Sequence, residues 1–161
     1  MWIHYSETHD NNRLAAKGRQ WSLFRNQLCA LTSVAGGFGF TCGVEWLAAE
    51  KILVHQRSGL AWDNPDNIVP ELSTLNKLLS EHPCFFDGAR LSRLSNEGAV
   101  YVLRRDSAEG TDSLWIFANT DMEHDSTISI PGKDLMPQMT DLLTGKKIAP
   151  VKLEDNAERW V

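Results

Sequence analysis

The sequence predicts a two-part chain, an α/β segment of barrel type over residues 1–84 and a small antiparallel all-β module over residues 85–161. Three observations predict it. Apolar residues spaced three, four or seven apart, the mark of a helix with one buried stripe, point to two helices in the first half. The first such helix lies between two strand-like stretches, an apolar run at Met1, Trp2 and Ile3 and the glycine-rich Thr32 to Phe40 with its β-branched and aromatic residues. After Pro83 the pattern changes to short alternating runs divided by turn residues, as in an antiparallel sheet or sandwich. The boundary is placed near residues 83 to 88.

The first strand, Trp2 to Tyr5, runs into Tyr5-Ser-Glu-Thr-His-Asp-Asn-Asn-Arg13. Parallel α/β barrels keep their chemistry at the C-terminal ends of the strands, so an imidazole and a carboxylate at His9 and Asp10 read as catalytic. The competing reading is that Asp10 or Asn11 caps a helix starting near Arg13. That helix extends to Leu31, with Leu14, Trp21, Phe24, Leu28 and Leu31 as its buried stripe and Arg13, Lys17 and Arg19 in solvated positions. A second strand is expected within Val34 to Phe40, where Gly36, Gly37 and Gly39 let the backbone pass close to a neighbour.

An irregular stretch from Gly43 to Asn67 follows, and connections of that length are usually functional. Trp62 near its tip is a candidate sugar-stacking residue, against the plainer role of covering apolar surface. Asp63, Asp66 and Asn67 do not make a calcium loop, because no glycine stands at the sixth position and Thr74 takes the place of the twelfth-position glutamate. Asn67 instead caps a second helix that carries Pro70 in its first turn, buries Leu72, Leu75 and Leu79, and ends at His82-Pro83. Strands are then expected at Leu91 to Leu94, Ala99 to Arg104, Leu114 to Ala118, Thr127 to Ile130 and Asp141 to Leu143. Turns fall at Asn96-Glu-Gly98, Glu109-Gly-Thr-Asp112 and Pro131-Gly-Lys133.

Composition excludes several functions. A hydrophobic share of 42% supports a real core, but 161 residues fall short of the about 250 of a complete eight-fold barrel, so the first half is a barrel's tail. A net charge of -5 without a basic, aromatic-studded stripe argues against nucleic acid and against an anionic membrane. No stretch reaches the roughly 18 to 20 apolar residues of a membrane span, and a secretory leader is not expected. Cys29, Cys42 and Cys84, each beside apolar residues and without CxxC spacing, are expected to be buried free thiols in a reducing, cytoplasmic setting. His4, His55, His82 and His124 lack metal-ligand spacing, so neither metal nor cofactor is expected. Nucleophile elbows, HExxH pairs and phosphate loops are equally missing.

Thr8-His9-Asp10-Asn11-Asn12-Arg13 resembles the last signature motif of the α-amylase family of glycoside hydrolases and transglycosidases, glycoside hydrolase family 13. The downstream order is similar too: a helix, a glycine-rich strand with Gly43-Val-Glu45, a loop, a last helix, then sandwich strands opening at Phe85 to Leu94, Val100 to Arg105 and Leu114 to Asp121. This resemblance implies the C-terminal part of a (β/α)8 TIM barrel followed by a small antiparallel β-sandwich, acting on an α-glucan or maltooligosaccharide. It implies that Asp10 stabilises the transition state by binding and distorting the reacting sugar, and that His9 hydrogen-bonds hydroxyls of the same sugar. Thr8 stands where the family usually has Asn. Retaining glycosidases need two carboxyl groups about 5 to 5.5 Å apart, which in this family come from earlier strands. Neither Glu7 nor Glu45 is therefore assigned a catalytic role, and the chain alone is expected to be inactive.

The alternative is a non-catalytic carbohydrate-binding or structural sandwich module, whose stacking candidates are Tyr101, Trp115 and Trp160. A barrel's tail also implies open strand edges, hence self-association or poor solubility. The apolar run that begins in Asn156 to Val161 suggests that the sandwich lacks its last strand.

Overall fold

The computed structural model describes residues 3–33, 37–56, 59–95, 98–130, 138–149, 151–152 and 158–160. Trp2, Val34, Gly36, the Asn96-Glu97 pair, the Pro131-Gly-Lys133 turn and Asn156 lie outside them. Two compact units are distinguished. One comprises Met1–Leu91 with Arg105–Leu114, the other Ser92–Arg104 with Trp115–Val161.

In the first unit β1 (His4–Tyr5) is followed by a 3-10 turn (Leu14–Lys17), α1 (Arg19–Leu31), β2 (Phe38–Gly39), α2 (Val69–Glu81) and a second 3-10 turn (Pro83–Phe85). β1 and β2 pair in parallel, His4 opposite Phe38 and Tyr5 opposite Gly39. Parallel neighbours need a long crossover, and here it contains α1, which packs against both β1 and α2. At Gly39 the Tyr5 ring lies directly against the backbone. A Cβ there would stand 2.7 Å from Cε1 of Tyr5.

The single helix expected from Arg13 to Leu31 is broken in two. Gly18, at φ 97°, separates the 3-10 turn from α1, a left-handed conformation that glycine adopts without a Cβ clash. Neither Asp10 nor Asn11 caps it; Arg13 occupies the cap position of the 3-10 turn. The expected apolar stripe is also displaced. Leu14, Trp21, Phe24, Leu28 and Leu31 are only half-buried, while the fully buried residues of α1 are Ser22, Asn26 and Ala30, spaced four apart on one face. Small and polar side chains allow close docking, and Asn26 completes it: its Oδ1 accepts from Ser6 Oγ at 2.5 Å and its Nδ2 donates to the Ser22 carbonyl at 2.7 Å.

Helix α2 follows most of its expected course. Pro70 sits in its first turn, Leu72 and Leu75 are buried, and it stops before Pro83. Two details differ: the cap position belongs to Ile68, with Asn67 one residue earlier accepting from Val69 N through Oδ1 at 3.1 Å, and Leu79 is only half-buried. Arg19 ties the two helices together, since its guanidinium pairs with Glu71, donates to the Asn67 carbonyl at 3.0 Å and reaches Asp66 at 3.3 Å. It is a clamp rather than the solvated residue expected. Ala30, Val44, Ala48, Ile68, Leu72, Leu75, Cys84 and Phe85 form the buried apolar set of this unit.

Strands β3 (Arg90–Arg93), β4 (Val100–Asp106) and β5 (Ser113–Asn119) form one sheet in that order. β6 (Ile128–Ile130), β7 (Met139–Thr140), β8 (Lys147–Ile148), β9 (Val151–Lys152) and β10 (Glu158–Trp160) follow. They make an antiparallel sheet ordered β6-β10-β9 and an antiparallel pair β7-β8. The strand expected at Asp141 to Leu143 is instead the turn joining β7 to β8, because the Asp141 carboxylate accepts from Leu143 N at 2.9 Å and from the Thr144 hydroxyl at 2.5 Å. Such local capture of backbone donors competes with sheet pairing. In the second unit Val100 and Val102 are the buried centre, packed by Trp115, Phe117, Ile128, Met139 and Ile148.

Candidate functional site

His9 and Asp10 follow the C-terminal end of β1, in a tight turn. Asn11 N donates to the Thr8 carbonyl at 3.2 Å, so His9 and Asp10 are the two central residues of a Thr8–Asn11 β-turn. Thr8 locks the turn a second time, its Oγ1 accepting from Asn11 Nδ2 at 2.9 Å. Both candidate side chains point into solvent, 51% and 81% exposed, with His9 Nε2 3.4 Å from Asp10 Oδ1. An exposed pair of this kind offers an imidazole and a carboxylate to the same ligand, with only their own solvent-exposed contact to give way.

Beneath the turn lies a buried ion pair. Glu7 and Arg13 flank it, with side chains 3% and 0% exposed, and Arg13 Nε meets Glu7 Oε1 at 2.7 Å. Glu7 Oε2 accepts from Leu14 N at 2.6 Å, so this carboxylate also satisfies a free N–H at the start of the 3-10 turn. Arg13 Nη2 donates to the Cys42 carbonyl at 3.0 Å, and Thr41 Oγ1 donates to the Glu7 carbonyl at 3.0 Å. The segment after β1 and the segment after β2 are thereby cross-linked. Arg13 Nη1 is buried without a hydrogen-bond partner.

Arg13 was expected on the solvated face, and this latch is the part of the site that sequence reasoning missed. The one available signal was the placement of opposite charges on either side of the Thr8–Asn12 segment. Glu7 has both oxygens engaged, and Glu45 spends Oε2 on Gly43 N at 3.0 Å. Those bonds give both carboxylates structural work.

Trp62 is exposed and stands edge-on to Trp46, ring centroids 5.0 Å apart. Its aromatic partner is thus Trp46; the His9–Asp10 pair makes no ring contact with it. Among the stacking candidates of the second unit, Trp115 packs on the Val100–Val102 core and lies against Phe117 at 6.0 Å, whereas Tyr101 is exposed with Arg93 over its ring at 4.5 Å. The side chain of Trp160 lies outside the described residues.

All three thiols are free, but only Cys84 is buried; Cys29 is half-buried and Cys42 exposed, contrary to expectation. Burial raises the pKa of Cys29 and of Cys84 above the ordinary thiol value, which keeps both protonated and unreactive at neutral pH. Among the described residues no group of three His, Cys, Asp or Glu side chains could hold a metal, and no helix is long and apolar enough to cross a membrane.

No family model, curated protein or solved structure matches this chain.

Proposed function

We propose that this chain forms part of a retaining α-glucan-active glycoside hydrolase or transglycosidase, resembling the C-terminal portion of the α-amylase family. In this reading Asp10 binds sugar hydroxyls in the reacting subsite and stabilises the transition state, and His9 hydrogen-bonds the same sugar. Nucleophile and proton donor are assigned to none of the described residues. One observation carries the reading: His9 and Asp10 are adjacent and solvent-facing in a turn that leaves a parallel-paired strand at its C-terminal end, the position where α/β barrels present their chemistry. The Glu7–Arg13 pair supports it, because a buried latch under an exposed turn holds the ligand-facing groups in place before a ligand arrives.

Calorimetric titration with maltoheptaose tests the proposal. Saturable binding is expected, with no release of reducing sugar by the chain alone. His9→Ala/Asp10→Asn is expected to weaken binding at least about tenfold, since hydrogen bonds to a charged group contribute about 1.5 to 3 kcal/mol each. Unchanged affinity in that variant, or turnover by the unaided chain, defeats the reading.

A further inference from the structure

We propose that the first unit binds a phosphorylated small molecule in a cleft bounded by the 3-10 turn, the first half of α1 and the segment around Lys51. The cleft measures about 610 Å³ and its lining includes Arg13, Leu14, Lys17, Trp21, Arg25 and Lys51. That volume falls within the range of small-molecule sites, about 300 to 1,000 Å³.

Four of these residues are cationic, of which only Arg13 is already paired, with Glu7, and among the described residues no carboxylate shares the lining, in a protein whose net charge is -5. Lys17, Arg25 and Lys51 make no ion pair among the described residues. Like charges gathered in a concave site repel one another and raise the local concentration of anions; a bound anion relieves that repulsion. Trp21 orients two of the heads, Lys17 Nζ lying 5.0 Å and Arg25 Cζ 5.7 Å from its ring centroid. Arg13, whose guanidinium is paired with Glu7, also lines the cleft, and its buried Nη1 has no hydrogen-bond partner.

A phosphoryl group suits this donor set better than a carboxylate. It is close to doubly charged at neutral pH and offers three strong acceptor oxygens to several donors at once. The remaining volume and the apolar surfaces of Trp21 and Leu14 provide room for an organic remainder. Neither His9 nor Asp10 lines the cleft, so this site stands or falls separately from the glucan reading.

Calorimetry on the full chain at low salt provides the test, with glucose 6-phosphate, inorganic phosphate and glucose as probes. Glucose 6-phosphate is expected to bind one to one, inorganic phosphate more weakly, glucose not at all, and raising the salt should weaken both phosphates. Lys17→Ala/Lys51→Ala should lose at least about tenfold in affinity with an unchanged melting temperature, whereas Lys17→Arg/Lys51→Arg, which keeps the charges, should bind. Absence of heat with either phosphate, or full binding by Lys17→Ala/Lys51→Ala, overturns the proposal. Equal affinity for inorganic phosphate and glucose 6-phosphate overturns the organic part of it.

Discussion

Arg13 and Arg105 are both buried in the first unit, 2% and 1% exposed, yet their charges are met in opposite ways. Arg13 faces a carboxylate, Glu7, and one carbonyl. Arg105 has no carboxylate partner among the described residues. Its Nε donates to the Cys84 carbonyl at 2.9 Å, and its Nη1 to the carbonyls of Leu31 at 3.0 Å and Ser33 at 2.8 Å, with the Phe85 ring 4.5 Å from Cζ. Leu31 ends α1, so Arg105 occupies the negative end of a helix dipole and satisfies a carbonyl that the helix leaves free. Burial lowers its pKa from the ordinary arginine value; it nevertheless stays charged. The difference teaches that one pair holds a turn through mutual neutralisation, while the other uses a lone cation to gather three carbonyls. Only the first leaves a naked charge behind when a partner is removed.

The largest expected effect follows directly. Glu7→Ala strands the Arg13 guanidinium and should cost about 3 to 5 kcal/mol in urea denaturation. Replacing both partners with apolar residues, as in Glu7→Met/Arg13→Leu, should recover most of that loss, because the desolvation cost disappears with the charges. A single-variant loss below about 1 kcal/mol would mean that the pair is solvated, against the buried geometry.

Arg105→Met comes next, at about 2 to 3 kcal/mol by the same measurement, since it orphans neutral carbonyls rather than a charge. Finding it costlier than Glu7→Ala would break the contrast between the two arginines. Gly39→Ala should cost about 1 kcal/mol or less in thermal melting, because the new methyl displaces only the outer edge of the half-exposed Tyr5 ring. Combining it with Tyr5→Ala should remove that penalty.

The smallest effect belongs to the partly exposed Arg19–Glu71 pair. The hydrogen bond from Arg19 lowers the Glu71 pKa below its ordinary value of 4.5. Its stabilisation is therefore present above that value and lost as pH falls through the lower folded-state value. With both side chains about a third exposed, the pair is worth less than about 1 kcal/mol, and salt reduces it. In urea titrations against pH, Glu71→Gln should lose stability at neutral pH and converge with the parent chain in acid.

Much of the order of elements was legible. α2 follows from the three- and four-residue spacing of Leu72, Leu75 and Leu79 together with Asn67 and Pro83. β4 and β5 follow from alternating apolar residues cut by Glu109-Gly110. The break at Gly18 was signalled by the glycine but hidden by the surrounding periodicity. Likewise, Ser22 and Asn26 stood at helical spacing, yet polar residues on a buried face declare themselves only when Ser6 supplies the partner. For the candidate site, His9 and Asp10 were legible as a pair past a strand, whereas the Glu7–Arg13 latch was not.

By itself the sequence determined which segments became helix or strand, through properties that act over a few residues: spacing of apolar side chains, φ preferences of glycine and proline, and side-chain capture of nearby N–H groups. Tertiary structure alone decided which charges were buried and what satisfied them. Arg13, Arg19 and Arg105 are equally polar on paper, and the cost of taking each out of water is set by partners 6, 52 and 74 positions away along the chain. Those partners reach them only after the chain has folded back on itself.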